Sequence, residues 1–363
     1  MQALALALAL AAGPGVVRTL PPAPVALYRV AWQRPFVPAQ ALEWRPMERG
    51  GVAVDPTTRL VVFGTRDGWL HAVRPDGTVA WELQAEGTFG PPAIEGDTVY
   101  VGTSGGRLLA VALPNGKERW RYKAEEDLST RPAIAHGAVY VASLQDTVFS
   151  VDAASGAWRW HHRREPKGEG FTIFGAAAAV AGPDAVYGAY SDGYVAALDP
   201  KTGAARWERR VAPANDHLDV DALVLGGGRL YAAAYSGAVL ALDTRTGDQV
   251  WTAKAPGAAQ LALAGGLVVA VTQASVVGLS PANGSTLWTA GLGGGAPAGA
   301  PTVAGKWILV PAGSAGLRFV EAASGRTLRV FDPGTGVSGP AALADGRVYV
   351  LSNGGALFAL DLG

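Results

Sequence analysis

A turn signature repeats through this chain, and few folds can accommodate it. The clearest copy is the stretch 239–251, VLALDTRTGDQVW. Apolar residues alternate on both sides of a turn that ends in glycine, which is the pattern of a β-hairpin. Asp243 is placed to accept backbone N–H groups of the turn, and Thr246 can do so more weakly. Gly247 can take φ > 0, which a residue carrying Cβ resists. Trp251 is too large to leave in water and predicts packing against a neighbouring element.

The same five-residue frame occurs elsewhere. Ala197, Asp199, Thr202, Gly203 and Trp207 repeat it in full. Ser150, Asp152, Ser155, Gly156 and Trp160 repeat it with serines. Ala110, Asn115, Gly116 and Trp120 keep the geometry, as do Gly278, Asn283, Gly284 and Trp288. Ala72, Gly77 and Trp81 fit with one turn residue fewer. Phe319, Glu321, Ser324 and Gly325 fit as well, but Arg329 stands where Trp is expected. The last copy, Ala359-Leu360-Asp361, ends with the chain.

With Trp32 included, the Trp slots fall at 32, 81, 120, 160, 207, 251, 288 and 329, at intervals of 49, 39, 40, 47, 44, 37 and 41. A period near 40 with four short strands per unit is the signature of a β-propeller. The reading is therefore all-β: an eight-bladed β-propeller with four antiparallel strands per blade, over 27–363. Trp32, Trp81, Trp120, Trp160, Trp207, Trp251 and Trp288 are expected to dock blades onto each other. The final unit supplies only three strands, and LYRVAWQRPF (27–36) has a Trp but no preceding unit. If that segment becomes the outer strand of the last blade, the ring closes without an unpaired edge.

Composition matters for what it excludes. With 49% apolar and 17% charged residues there is ample material for a core. Formal net charge is zero, so nothing points to nucleic acid. The 49 Gly and 24 Pro are spread along the chain, as many short turns require. There is no Cys, which excludes disulfides, thiolate metal sites, thiol catalysis and lipid attachment. Residues 1–22 open with MQALALALALAAGPG, an apolar run closed by small residues. It is too short to span a bilayer and resembles a signal-peptide core, although no Lys or Arg precedes it.

The repeat resembles that of pyrroloquinoline-quinone (PQQ) enzyme propellers. Within that superfamily the chain resembles the BamB family, propeller subunits of the outer-membrane β-barrel assembly machinery. That family carries Asp-Val-Asp at the lead-in to a blade, and here Asp219-Val220-Asp221 stands there. One blade earlier it carries Arg-Gly-Glu, and here Lys167-Gly168-Glu169. Its penultimate blade also tends to lack the Trp. There are departures. Leucines precede the Arg in that family, where Arg164 and Pro166 stand here, and its members are usually lipoproteins. The resemblance implies a protein-binding role in the cell envelope.

Catalytic readings fare poorly. A PQQ dehydrogenase would be longer and would use adjacent cysteines and a calcium cluster. Asn215, Asp216, Asp219 and Asp221 lack the Gly and terminal Glu of a calcium loop and read as turn capping or partner binding. His71, His136 and His217 are scattered. The basic run Arg159, His161, His162, Arg163, Arg164 and Lys167 reads equally as an anion site or a solvated loop.

One geometric argument sharpens the binding reading. Strands in a blade alternate direction, so the segment leading into a blade shares a face with the loop joining its second and third strands. The segments 161–172 and 209–219 fall in unusually long intervals, 47 and 44, after Trp160 and Trp207, on adjacent blades and one face. Extra loop length on a rigid scaffold is where binding tends to reside. Lys167, Asp219 and Asp221 are expected to form a charged partner patch there, with Arg163 and Arg164 at its margin. The expected protein is a monomeric periplasmic or envelope scaffold without enzyme activity, cofactor, metal or transmembrane segment. Its partners are proteins, an outer-membrane assembly factor among them. The rival reading is a propeller that binds a quinone or other small molecule in its central channel.

Overall fold

A computed structural model of the chain describes residues 27–38, 48, 50–164, 177–211, 220–234, 237–293 and 299–363. Among the described residues there are eight four-stranded antiparallel sheets and no helix. We number the sheets as blades from the N-terminal side. Blade 1 runs Val52–Val54, Val61–Gly64, Trp69–Val73 and Val79–Gln84, from inner to outer strand. Blade 5 is representative of the rest, with Val220–Gly226, Arg229–Ala234, Ala238–Asp243 and Gln249–Lys254. Blade 8 takes Ala342–Ala344, Arg347–Leu351 and Ala356–Leu362 from the C-terminus, and its outer strand is Tyr28–Pro35.

The hairpin signature acts twice, once within its own blade and once between blades. Within blade 5, Asp243 Oδ1 accepts from the backbone N–H of Arg245 at 3.0 Å and of Thr246 at 2.9 Å, and Gly247 N donates to Asp243 O at 2.9 Å. Gly247 sits at φ 72°. A bulge between Ala241 and Leu242 shifts the register so that Ala241 pairs with Trp251. The same shift pairs Ala72 with Trp81, Ala110 with Trp120, Ser150 with Trp160, Ala197 with Trp207 and Gly278 with Trp288. The first residue of the frame is small because it sits opposite the indole. A Cβ on Gly278 would lie 2.3 Å from the Trp288 ring.

Between blades, each Trp docks on the hairpin turn of the next blade. Trp251 Nε1 donates to Pro281 O at 2.9 Å, and Trp207 Nε1 to Thr244 O at 3.1 Å. Trp32 Nε1 donates to Pro75 O at 2.8 Å, across the seam between blades 8 and 1. The turn glycine meets the face of that indole. A Cβ on Gly284 would lie 2.5 Å from Trp251. The frame glycine is thus fixed by backbone conformation and by contact with the preceding blade.

The core follows the same logic. Each of eight apolar clusters lies between two consecutive blades. Trp251 packs with Tyr231, Ala241, Leu261 and Val268 between blades 5 and 6. Val61, Phe63, Tyr349 and Leu357 do so between blades 8 and 1. Because blade 8 is completed by the N-terminal strand, no blade is left with an open face.

The joint between blades 7 and 8 explains Arg329. A docking Trp needs a hairpin turn on the next blade, and blade 8 has none. Its third strand, Ala356–Leu362, pairs with an outer strand, Tyr28–Pro35, that arrives from the N-terminal side rather than through a hairpin. Phe319 occupies the small position opposite Arg329. Tyr28 stacks on Phe319 at 5.2 Å, meets Phe331 edge-on at 5.8 Å, and donates its hydroxyl hydrogen to Val330 O at 3.2 Å. A Phe–Tyr pair thus fills the space that an indole fills at the other joints.

The seam between blades 8 and 1 also buries an ion pair. Glu48, 2% exposed, accepts from Arg66 N at 2.8 Å and Arg66 Nη1 at 2.5 Å, while its own N donates to Asn353 Oδ1 at 3.4 Å. Burial pushes the Glu48 carboxyl up to about 7, against the opposing pull of Arg66. A raised carboxyl pKa means that the folded state holds the proton longer than the unfolded chain does. Stability is therefore expected to fall as pH rises from about 4.5 to about 7, by at most about 3 kcal/mol. Glu48→Gln removes this titration and should flatten the slope in urea melts taken across that window. An unchanged slope in the variant would assign the effect to other groups.

Candidate partner surface

The lead-in segments and the turns joining second and third strands do share a face. Leu144 N donates to Asp127 O, Ala124 N to Gly106 O, and Val211 N to Gly193 O, each tying a lead-in to such a turn. On this face a polar clamp joins blades 3 and 4. Arg164 follows the outer strand Trp158–Arg163 of blade 3. Its Nε lies 2.9 Å from Asp192 Oδ2 and its Nη1 2.6 Å from Glu208 Oε2, and its guanidinium sits 4.0 Å over the Tyr194 ring. Planar stacking together with two carboxylates is an arginine arrangement that lysine cannot reproduce. His162 Nδ1 lies 2.7 Å from the Tyr190 hydroxyl. Burial lowers the His162 pKa, so the ring is neutral at neutral pH. Asp146, held at φ 63°, accepts from Ser191 N at 2.8 Å and from the Ser191 hydroxyl, and burial raises its pKa.

The five residues named for the patch sort differently. Arg163 is half exposed and pairs with Glu126 at 3.0 Å. Glu126 also accepts from Ser143 Oγ at 2.5 Å. Arg164 is largely enclosed by the clamp, with 16% of its side chain exposed. Asp221 lies in the inner strand of blade 5, facing the channel, with its Oδ2 buried. Lys167 and Asp219 lie outside the described residues, as do Asn215, Asp216, His217 and residues 1–22. Sequence reasoning missed the clamp partners Asp192, Glu208 and Tyr194. Their signal was the Ser191-Asp192-Gly193 turn, one blade after the basic run.

The inner strands line a central channel of about 960 Å³. Among the described residues no cluster of His, Asp or Glu is arranged to hold a metal ion, and no helix is long and apolar enough to cross a membrane.

Eight blades, docked Trp-on-turn at seven joints and closed by an N-terminal strand, define a β-propeller of the PQQ-like repeat class. The chain belongs to the family described as outer membrane protein assembly factor BamB, whose sequence profile matches residues 29–111, 66–289 and 272–363. No curated protein matches it in sequence. Among solved structures, BamB from Moraxella catarrhalis is similar at 22% identity and TM-score 0.74, covering 92% of this chain and 100% of that one. A europium-containing methanol dehydrogenase is similar at 14% identity and TM-score 0.74, covering 92% and 93%. A quinohemoprotein alcohol dehydrogenase from Pseudomonas putida is similar at 13% identity and TM-score 0.72, covering 93% and 77%. At these identities the likenesses establish the fold alone.

Proposed function

We propose that this protein is a non-catalytic scaffold of the cell envelope, exported by residues 1–22. In this reading it presents the lead-in face of blades 3 to 5 to protein partners in outer-membrane protein assembly. Membership of the BamB family carries the reading. The clamp at Arg164 supports the placement, because it fixes the last described residue before the 165–176 segment against blade 4. Lys167 and Asp219 are the recognition charges, with Arg163 at the margin. Arg164 acts as an anchor between blades 3 and 4. Asp221 belongs to the channel wall rather than to the rim. Rim charges of this kind set register and association rate more than affinity.

The burial of Asp221 Oδ2 decides how to test this, since an arginine there would strain the wall. Charge reversal therefore belongs at the rim, in Lys167→Glu with Asp219→Arg. In cells lacking the protein, the wild type is expected to restore outer-membrane β-barrel levels and the double variant to fail, with purified variant melting like wild type. Full restoration by the double variant would remove these two residues from the partner surface.

A further inference from the structure

The channel carries a charge that the scaffold reading does not use. Arg131 precedes the inner strand Ala133–Ala135 of blade 3 and lines the channel near its lead-in mouth. Ladder register identifies its counterparts in other blades, because Ala133 pairs with Tyr140 as Ala93 pairs with Tyr100, Val180 with Tyr187, Ala262 with Val269, Thr302 with Leu309 and Ala342 with Tyr349. Two residues before each stands Pro91, Ala178, Gln260, Ala300 or Pro340. One guanidinium thus interrupts a ring of neutral side chains. The other charged groups of the lining are Glu48 and Arg66, which pair with each other, Asp127, which accepts from Ser129 N at 2.8 Å, and Asp221, whose Oδ2 is buried in the wall. Among the described residues Arg131 has neither a hydrogen-bond acceptor nor an ion-pair partner. It is reached by solvent yet ringed by protein, and that partial desolvation pushes its pKa down from the ordinary arginine value. Arginine nevertheless stays protonated in proteins, so Arg131 presents its positive charge to the channel without a direct counter-ion among the described residues. Apolar side chains line the same channel, with Ile94 on the neighbouring blade 2 and Val54, Leu223, Leu261 and Val303 further round the ring. Val303 is among the most exposed large hydrophobic residues described.

We propose that the channel mouth is a binding site for a small organic anion. Arg131 holds the carboxylate or phosphate group of the ligand, and its apolar body lies against Val54, Ile94, Leu223, Leu261 and Val303. The planar fork of Arg131 matches two acceptor oxygens of such a group at once. The volume of the channel is at the upper end of that found for small-molecule sites. Neither this site nor the partner surface depends on the other.

Fluorescence titration of the full-length protein with three naphthalene probes tests the site. The probes are 2-naphthoate, 2-naphthyl phosphate and the neutral 2-naphthalenemethanol. At least one anion is expected to bind roughly tenfold or more tightly than the alcohol, with an affinity that falls as salt rises. The two anion arms tell a carboxylate site from a phosphate site. Arg131→Gln should lose about tenfold or more for the anion and leave the alcohol unaffected. If Arg131→Gln melts below wild type, Arg131→Lys replaces it, keeping the charge without the fork and losing severalfold for the anion alone. Absence of anion binding, equal binding of the alcohol, or wild-type anion affinity in the folded variant each overturns the site.

Discussion

Removing residues 1–36 is expected to abolish cooperative unfolding and to leave the protein aggregating. The deletion strips the outer strand of blade 8, which pairs from Tyr28 with Leu362 to Pro35 with Ala356. It also removes Tyr28 from Phe319 and Phe331, and Trp32 from the turn of blade 1. Arg29 leaves Asp361, and Arg34 leaves Gly77 O. Two joints, between blades 7 and 8 and between blades 8 and 1, lose their docking aromatics together, and Ala356–Leu362 becomes an open strand edge. Such an edge pairs with other chains. Removing residues 1–22 alone leaves all of these contacts in place and should hold the melting temperature within about 2 °C. Circular dichroism melts and light scattering of the two truncations make the comparison. A 1–36 truncation that stays monomeric and melts sharply with wild type would overturn closure by the N-terminal strand.

Trp251→Ala is expected to cost about 3–5 kcal/mol, the range for deleting a large buried aromatic. The residue is 7% exposed and packs between blades 5 and 6. Its loss removes the bond to Pro281 O, the contact with the Gly284 turn and the packing on Tyr231 at 5.7 Å. It also leaves a cavity opposite Ala241, and a small residue there cannot fill it. Trp158→Ala is the internal control. Trp158 lies on an outer strand at 57% exposure and should cost less than about 0.5 kcal/mol. Urea melts of the two variants separate docking tryptophans from surface ones. A loss below about 1 kcal/mol at Trp251 would end the docking assignment.

The repeat was legible because its determinants are local. Asp243, Thr246 and Gly247 form a turn by contacts within five residues, and Trp251 follows at fixed spacing because the bulge before it is part of the same hairpin. Counting such hairpins yields the eight blades. The incomplete last unit and the partnerless Trp32 yield the closure. The missing Trp at 329 was visible in the sequence, but its reason was not: the outer strand of blade 8 comes from Tyr28–Pro35, so blade 8 offers no turn for that Trp to meet. The bulky Phe319 in place of a small residue marks the same joint.

The site was less legible, because it is built by blades meeting. Arg163 and Arg164 are neighbours in a basic run, and nothing local separates them. The ring places Arg164 between Asp192, Glu208 and Tyr194 of blade 4, and leaves Arg163 with Glu126 at the rim. Arg131 carries no motif, and its isolation appears only when eight inner strands are brought to one axis in register. By itself, then, the sequence determined the hairpins, their number and the strand that closes the ring, since these follow from turn chemistry and apolar period. Only the tertiary structure decided which charges are spent in clamps and which face open space, because charge pairing depends on approach across joints between residues far apart in the chain.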